Sequence, residues 1–177
     1  PDNAPASAPP PKPLSTPDPA VFFNELPASA TGLDFTHVEN RVDDFAGQPL
    51  LPNKLSHFGP ALCAGDFNGD GLADVFAGGA AGSAGQLFLR AKDGKFLAQP
   101  AGAAFADYRH SEDIDAVALD ADNDGDDDLY VVSGGNHADA QSPLYQDRLY
   151  LNSGTGEFTL APAGTLPKMR ESGSCVA

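Results

Sequence analysis

Residues 120–128 read Asp120-Ala121-Asp122-Asn123-Asp124-Gly125-Asp126-Asp127-Asp128, with carboxylates at positions 1, 3, 5 and 9 and glycine at position 6. In a tight turn this spacing brings alternate side chains to one side and lines a small pocket with oxygens. Position 7, Asp126, is spaced to offer a backbone carbonyl, and the glycine takes the sharp bend that a Cβ would obstruct. Oxygen donors at this density select calcium over zinc or copper, which prefer nitrogen and sulfur. The pattern also occurs 54 residues earlier, where Asp66, Asn68, Asp70 and Asp74 take positions 1, 3, 5 and 9, with Gly71 at position 6 and Leu72 at position 7. Two calcium sites are therefore expected, one on Asp66, Asn68, Asp70, Leu72 and Asp74, the other on Asp120, Asp122, Asp124, Asp126 and Asp128. Asn68 removes one charge from the first cage, so its affinity should be the weaker.

The residues beyond each turn exclude the EF-hand, whose loop opens in the same way. That loop ends in a bidentate Glu at position 12 and lies between two helices. Here position 12 is Ala77 or Val131, and the stretches after the turns, Asp74-Val-Phe-Ala-Gly-Gly and Asp128-Leu-Tyr-Val-Val-Ser-Gly-Gly, are β-branched and aromatic. Each turn leads into a strand.

Around the turns a longer unit repeats. Residues 60–65 form an apolar strand before the first turn and 75–79 a second strand after it. Gln86-Leu-Phe-Leu-Arg makes a third, and Lys95-Phe-Leu-Ala a short fourth beyond the turn Lys92-Asp-Gly. The second copy runs 114–119, turn 120–128, 129–135, Arg148-Leu-Tyr-Leu-Asn and Glu157-Phe-Thr-Leu. Four strands in a period of 54 to 62 residues describe one β-propeller blade. The reading is all-β: one blade over 60–113, a second over 114–173, and the start of a third at 174–177, where Ser174-Cys-Val-Ala lines up with Asp115-Ala-Val-Ala. Two blades cannot close a ring, so the chain is expected to be the N-terminal portion of a larger propeller.

Residues 1–20 hold eight prolines and no apolar periodicity, so they read as an extended tether. The entry segment 21–59 comes next. In it Phe22, Phe23 and Leu26 are candidates to plug a core, and residues 32–39 alternate like a strand with Leu33, Phe35 and His37 on one face. Residues 40–59 read as a long loop anchored by Phe45, Leu50, Leu51 and Leu55, with Asp43 and Asp44 facing solvent. The linkers 100–113 and 136–147 read as surface loops, and their His110, His137, Glu112, Asp113 and Asp139 as polar decoration. Cys63 and Cys175 sit in apolar runs without a CxxC spacing, which favours buried free thiols over a mutual disulfide.

With 19 Gly, 16 Pro and no Trp among 177 residues, many short strands joined by turns are expected rather than a helical bundle. A formal charge of −15 argues against nucleic acid or anionic lipid as partner. No apolar run reaches the length of a membrane span.

The stretches Gly65-Asp-Phe-Asn-Gly-Asp-Gly-Leu-Ala-Asp-Val-Phe-Ala-Gly-Gly and Leu119-Asp-Ala-Asp-Asn-Asp-Gly-Asp-Asp-Asp-Leu-Tyr-Val-Val-Ser-Gly-Gly resemble the FG-GAP/VCBS repeats. These are the repeats of the integrin α-subunit propeller and of cartilage acidic protein and its bacterial relatives. The resemblance covers residues 60–177 and extends to a lead-in at 32–59. It implies a propeller of about seven blades, with calcium in the hairpin between the first and second strands of a blade, on a secreted or cell-surface protein used for binding.

Three functions are expected in this order. The first is a non-enzymatic, calcium-stabilised binding or scaffold module for a protein or glycan, located extracellularly, in the periplasm or at the cell surface, where a lipid anchor before Pro1 is one possible attachment. The second is a calcium-dependent polysaccharide lyase, in which a cation acidifies a uronate and a base removes its proton. It is disfavoured because the clustered carboxylates are already used as ligands. The third is a structural subunit ordered inside a larger surface assembly.

Overall fold

The computed structural model describes residues 23–176 apart from 40, 41, 53, 55, 57 and 101. Two four-stranded antiparallel sheets succeed one another along the chain. The first joins β1 (Leu62–Gly65), β2 (Asp74–Ala77), β3 (Gln86–Arg90) and β4 (Phe96–Ala98) in that order. The second joins β5 (Asp113–Leu119), β6 (Asp128–Ser133), β7 (Arg148–Asn152) and β8 (Phe158–Leu160). Each strand expected within the two sheets is present, with ends shifted by at most two residues, whereas residues 174–176, expected to begin a third blade, form no strand. Both acidic turns are the β1–β2 and β5–β6 connections, and neither is flanked by a helix.

Period-2 side chains on each strand supply an apolar face, and the two faces meet. Cys63, Phe76 and Leu87 lie opposite one another across β1, β2 and β3. They form one core with Ala61, Phe67, Ala116, Leu129, Val131 and Tyr150. Along the seam, the N–H of Ala61 donates to the carbonyl of Asp113 at 3.0 Å, and the N–H of Asp113 donates to the carbonyl of Gly79 at 2.9 Å. The sheets approach so closely here that a Cβ on Gly78 would lie 2.6 Å from that of Asp113. The Gly-Gly ending β2 is thus a packing requirement.

The linker between the sheets is not the surface loop expected over 100–113. It folds into α1 (Ala103–Ala106), which places Phe105 in the core. The Phe105 ring lies 5.3 Å from Phe76, 5.0 Å from Tyr150 and 5.5 Å from Phe158. Burying such a ring stabilises by roughly 2–3 kcal/mol, and offset or edge-on aromatic neighbours add to it.

The entry segment departs most from expectation. Residues 32–39 keep the alternating burial, with Leu33, Phe35 and His37 turned inward, but they pair with no strand among the described residues. The segment lies on the first sheet by side-chain contact instead, the Phe35 ring edge-on to Phe88 at 6.4 Å. Phe23 and Leu26 are exposed and plug nothing, and Phe45 and Leu50 are exposed as well. Of the other expected anchors Leu51 is partly buried, while Phe22 and Leu55 fall outside the described residues, as does the tether at 1–20. What anchors the segment is polar. Asp43 is exposed and accepts from the N–H of Phe45, whereas Asp44, expected in solvent, is 2% exposed. Its Oδ2 accepts from both the N–H and Oγ of Ser56 at 2.9 Å, and its Oδ1 accepts from Asn136 Nδ2 at 2.9 Å. A carboxylate with three donors can be buried where an apolar anchor would have left those donors unpaired. No described helix is long and apolar enough to cross a membrane.

Candidate metal centre

The acidic turns are built by the same hydrogen bonds, position for position. The position-1 carboxylate accepts from the N–H groups of positions 5 and 6: Asp66 from Asp70 and Gly71 at 3.1 and 2.8 Å, Asp120 from Asp124 and Gly125 at 3.1 and 3.2 Å. The position-3 oxygen of Asn68 or Asp122 accepts from the position-5 N–H at 3.1 or 3.2 Å. The position-5 carboxylate of Asp70 or Asp124 accepts from the N–H of Leu72 or Asp126 at 2.9 or 3.0 Å. Positive φ at position 6, 82° at Gly71 and 98° at Gly125, closes the bend. A Cβ there would meet nothing within 4 Å, so the glycine is required for its backbone conformation and not for space.

Position 9 differs in character. Asp74 and Asp128 are fully buried, each bracing the turn against its own sheet. Asp74 accepts from the N–H groups of Phe67 and Arg90 at 3.0 and 2.7 Å, and Asp128 from those of Ala121 and Asn152 at 2.9 and 2.8 Å. Burial pushes the Asp74 carboxyl up, against those two N–H groups, which pull it down.

These bonds aim the remaining oxygens at one another. In the second turn, oxygens of Asp120, Asp122 and Asp124 all lie within 4.8 Å of each other, on exposed residues. Desolvation in the turn, then the charges of Asp124 and Asp128, push the Asp122 carboxyl up. In the first turn the amide of Asn68 relieves part of this repulsion, its Nδ2 donating to Asp70 Oδ2 at 3.3 Å. The donor set of both turns is oxygen, the kind that fits a hard divalent cation.

Sequence reasoning missed two residues that join the turns. Asp127, at position 8 of the second turn, accepts the N–H of Asp66 on its Oδ2 at 3.0 Å. Asn152, at the end of β7, donates through Nδ2 to the carbonyls of Phe67 at 2.8 Å and Asp127 at 2.9 Å. The corresponding residues of the first repeat, Ala73 and Arg90, differ in kind, and that contrast was the only available signal.

Residues 66–131 match the family model of the FG-GAP-like repeat. This stretch is an FG-GAP-like repeat. It starts on the first carboxylate of the first turn and ends in β6, so the repeat takes in both turns and the seam between the sheets. No curated protein matches the chain.

At the end of the strands remote from the acidic turns, the FG-GAP-like repeat contributes Glu112 and Asp113, which are buried rather than decorative. Asp113 Oδ1 pairs with Arg148 Nη2 at 2.6 Å, and Asp113 Oδ2 accepts from the N–H of Gly79 at 2.8 Å. Burial, the largest single influence, would lower the Arg148 pKa, but the charges and hydrogen bonds of Asp113 and Tyr150 together outweigh it and the group is raised. Glu112 is fully enclosed, with His137 Nδ1 at 3.2 Å from its Oε2, and His137 Nε2 lies 3.1 Å from the carbonyl oxygen of His110. Of the expected loop polar groups only His110 and Asp139 are exposed. His37 pairs with Glu39 at 2.8 Å. Cys63 is a buried free thiol as expected, whereas Cys175 is free but exposed.

Proposed function

We propose that residues 66–74 and 120–128 each bind one calcium ion, and that the chain is a non-enzymatic binding module made of consecutive β-propeller blades. The observation that carries this reading is the cluster of Asp120, Asp122 and Asp124 oxygens within 4.8 Å of one another in the second turn, built on backbone hydrogen bonds that the first turn matches position for position. Asp66, Asn68, Asp70 and Asp74 would hold the first ion with the carbonyl of Leu72; Asp120, Asp122, Asp124 and Asp128 would hold the second with that of Asp126. The ion neutralises the converging charges and ties the hairpin to its sheet.

The course of the chain after the second sheet supports the blade reading. The N–H of Gly173 donates to the carbonyl of Ser133 at 2.9 Å, much as that of Asp113 donates to the carbonyl of Gly79 at the seam between the sheets. The N–H of Val176 bonds to Asp115 Oδ2 at 3.0 Å, so residues 173–176 pass from the end of β6 to Asp115 of β5. Binding is favoured over catalysis because the Glu112–His137 and Asp113–Arg148 pairs, outside the turns, are enclosed, each side chain facing its partner. Exposed turns of this kind suit the weak, millimolar-range sites of extracellular modules, which favours a protein outside the cell or at its surface, with a protein or glycan as partner.

Calorimetric titration with Ca²⁺ tests the reading: two ions per chain are expected, and one in the Asp120→Ala/Asp124→Ala variant. A stoichiometry unchanged by that variant would remove the assignment.

A further inference from the structure

We infer that Asp127 and Asn152 are positioning residues for the first cation turn, so that a cation in residues 120–128 tightens binding at residues 66–74. The inference rests on the calcium reading of both turns.

Neither side chain belongs to a donor set. Each nevertheless bonds directly to the backbone that carries the first one. Asp127 Oδ2 holds the N–H of Asp66, whose own carboxylate is position 1 of the first turn. Asn152 Nδ2 holds the carbonyl of Phe67, the next residue, whose N–H is held in turn by the position-9 carboxylate of Asp74 at 3.0 Å. The ring of Phe67 is fully buried between the sheets, so this part of the turn has no freedom to drift once its two polar contacts are made.

The other end of each contact is fixed by the second turn. Asp127 lies between Asp126, whose carbonyl is a cation donor, and Asp128, the position-9 carboxylate. Asp128 Oδ1 accepts the N–H of Asn152 at 2.8 Å, and the carbonyl of Asp127 accepts Asn152 Nδ2 at 2.9 Å. Asn152 Oδ1 accepts from Ser153 and Gly156 N–H groups at 2.9 and 3.2 Å, so the amide cannot rotate without breaking several bonds at once. Without a cation, the convergent carboxylates of Asp120, Asp122 and Asp124 repel and loosen residues 126–128. With one, Asp126 and Asp128 are clamped on either side of Asp127, and the acceptor for Asp66 is set in place. Coupling of this sort is reciprocal between the sites.

The test is a double-mutant cycle read by NMR during Ca²⁺ titration, with the Gly71 amide reporting the first turn and the Gly125 amide the second. Disabling the second turn with Asp124→Ala should weaken binding at Gly71 by about fivefold in the wild-type background, the lower range of measured couplings. In the Asp127→Ala background the same change should affect Gly71 binding less, and in Asp127→Ala/Asn152→Ala it should leave Gly71 binding unaltered. Asp127→Asn, which keeps an acceptor oxygen and drops the charge, should retain the coupling, and melting in saturating Ca²⁺ checks that each variant is folded. An equal response to Asp124→Ala in all three backgrounds, or a loss of coupling in Asp127→Asn as large as in Asp127→Ala, would overturn the positioning role while leaving the two calcium sites intact. A wild-type protein in which neither amide responds to Ca²⁺ would overturn both readings.

Discussion

Asp113 and Arg148 meet at 2.6 Å, both almost fully buried, where the end of β2, the start of β5 and the start of β7 come together. Arg148 also donates through Nε and Nη2 to Ser133 Oγ at 3.2 and 3.0 Å and lies over the Tyr108 ring at 5.9 Å. Removing one partner leaves the other charge buried and uncompensated, which costs about 3–5 kcal/mol. Arg148→Met should therefore lower the urea midpoint sharply, and adding Asp113→Asn should recover part of the loss. Strictly additive losses in the double variant would show that the two side chains do not act as a pair.

Phe105 should be the costliest apolar side chain of the linker. Phe105→Ala removes a ring in contact with both sheets and is expected to cost about 3–5 kcal/mol. Leu50→Ala, at a residue 96% exposed, should change stability by less than about 0.5 kcal/mol. Comparable urea midpoints for the two variants would contradict the placement of Phe105.

The two thiols should differ in reactivity and in their effect on alkaline stability. Burial pushes the Cys63 thiol up from 9.0 to about 11, and the charges of Asp127 and Asp115 push the same way, against the N–H of Ala118. The folded form therefore favours the neutral thiol. Sign and window agree: with the folded value raised, this contribution is complete below pH 9 and is lost as pH rises toward and past 11. At pH 8, iodoacetamide should label the exposed Cys175 and reach Cys63 only after unfolding. The decline in stability above pH 9 should be shallower in Cys63→Ala, and labelling of both cysteines at one rate in the folded protein would contradict the burial.

Asn68 sets the difference between the two turns. Asn68→Asp removes the amide donated to Asp70 Oδ2 and restores the charge carried by Asp122 in the second turn. Calcium affinity of the first turn should rise several-fold when measured with the second turn disabled, while the metal-free protein becomes less stable through like-charge repulsion. Equal affinities for the two wild-type turns, each measured alone, would refute this account of the asymmetry.

Much of this architecture could be read from the chain. The strands were legible because their apolar residues alternate and because two copies agree, so Leu87-Phe88-Leu89 and Leu149-Tyr150-Leu151 support each other. The acidic turns were legible because spacing and glycine position fix their backbone. Less could be foreseen where one residue bonds to a distant one. Asp44 looks like any loop aspartate until Ser56 and Asn136 converge on it, and Glu112 and His137 lie 25 residues apart. Phe105 stands in an alanine-rich linker without strand or helix periodicity, and only the gap between two facing sheets gives its ring a place. Asp127 was hidden among the five aspartates 120, 122, 124, 126 and 128, whose regular spacing accounted for all of them.

Calcium bound in both hairpins would stabilise the folded protein, and thermal melting with Ca²⁺ or with a chelator measures that directly. A ligand at ten times its dissociation constant stabilises by about 1.4 kcal/mol per site, which over two sites in a chain of this size amounts to a rise of about 5 °C or more. The expected result is a melting temperature higher by at least that amount in millimolar Ca²⁺ than in EGTA, with the shift reduced in Asp120→Ala/Asp124→Ala. Superimposable melting curves in Ca²⁺ and EGTA would contradict the central claim.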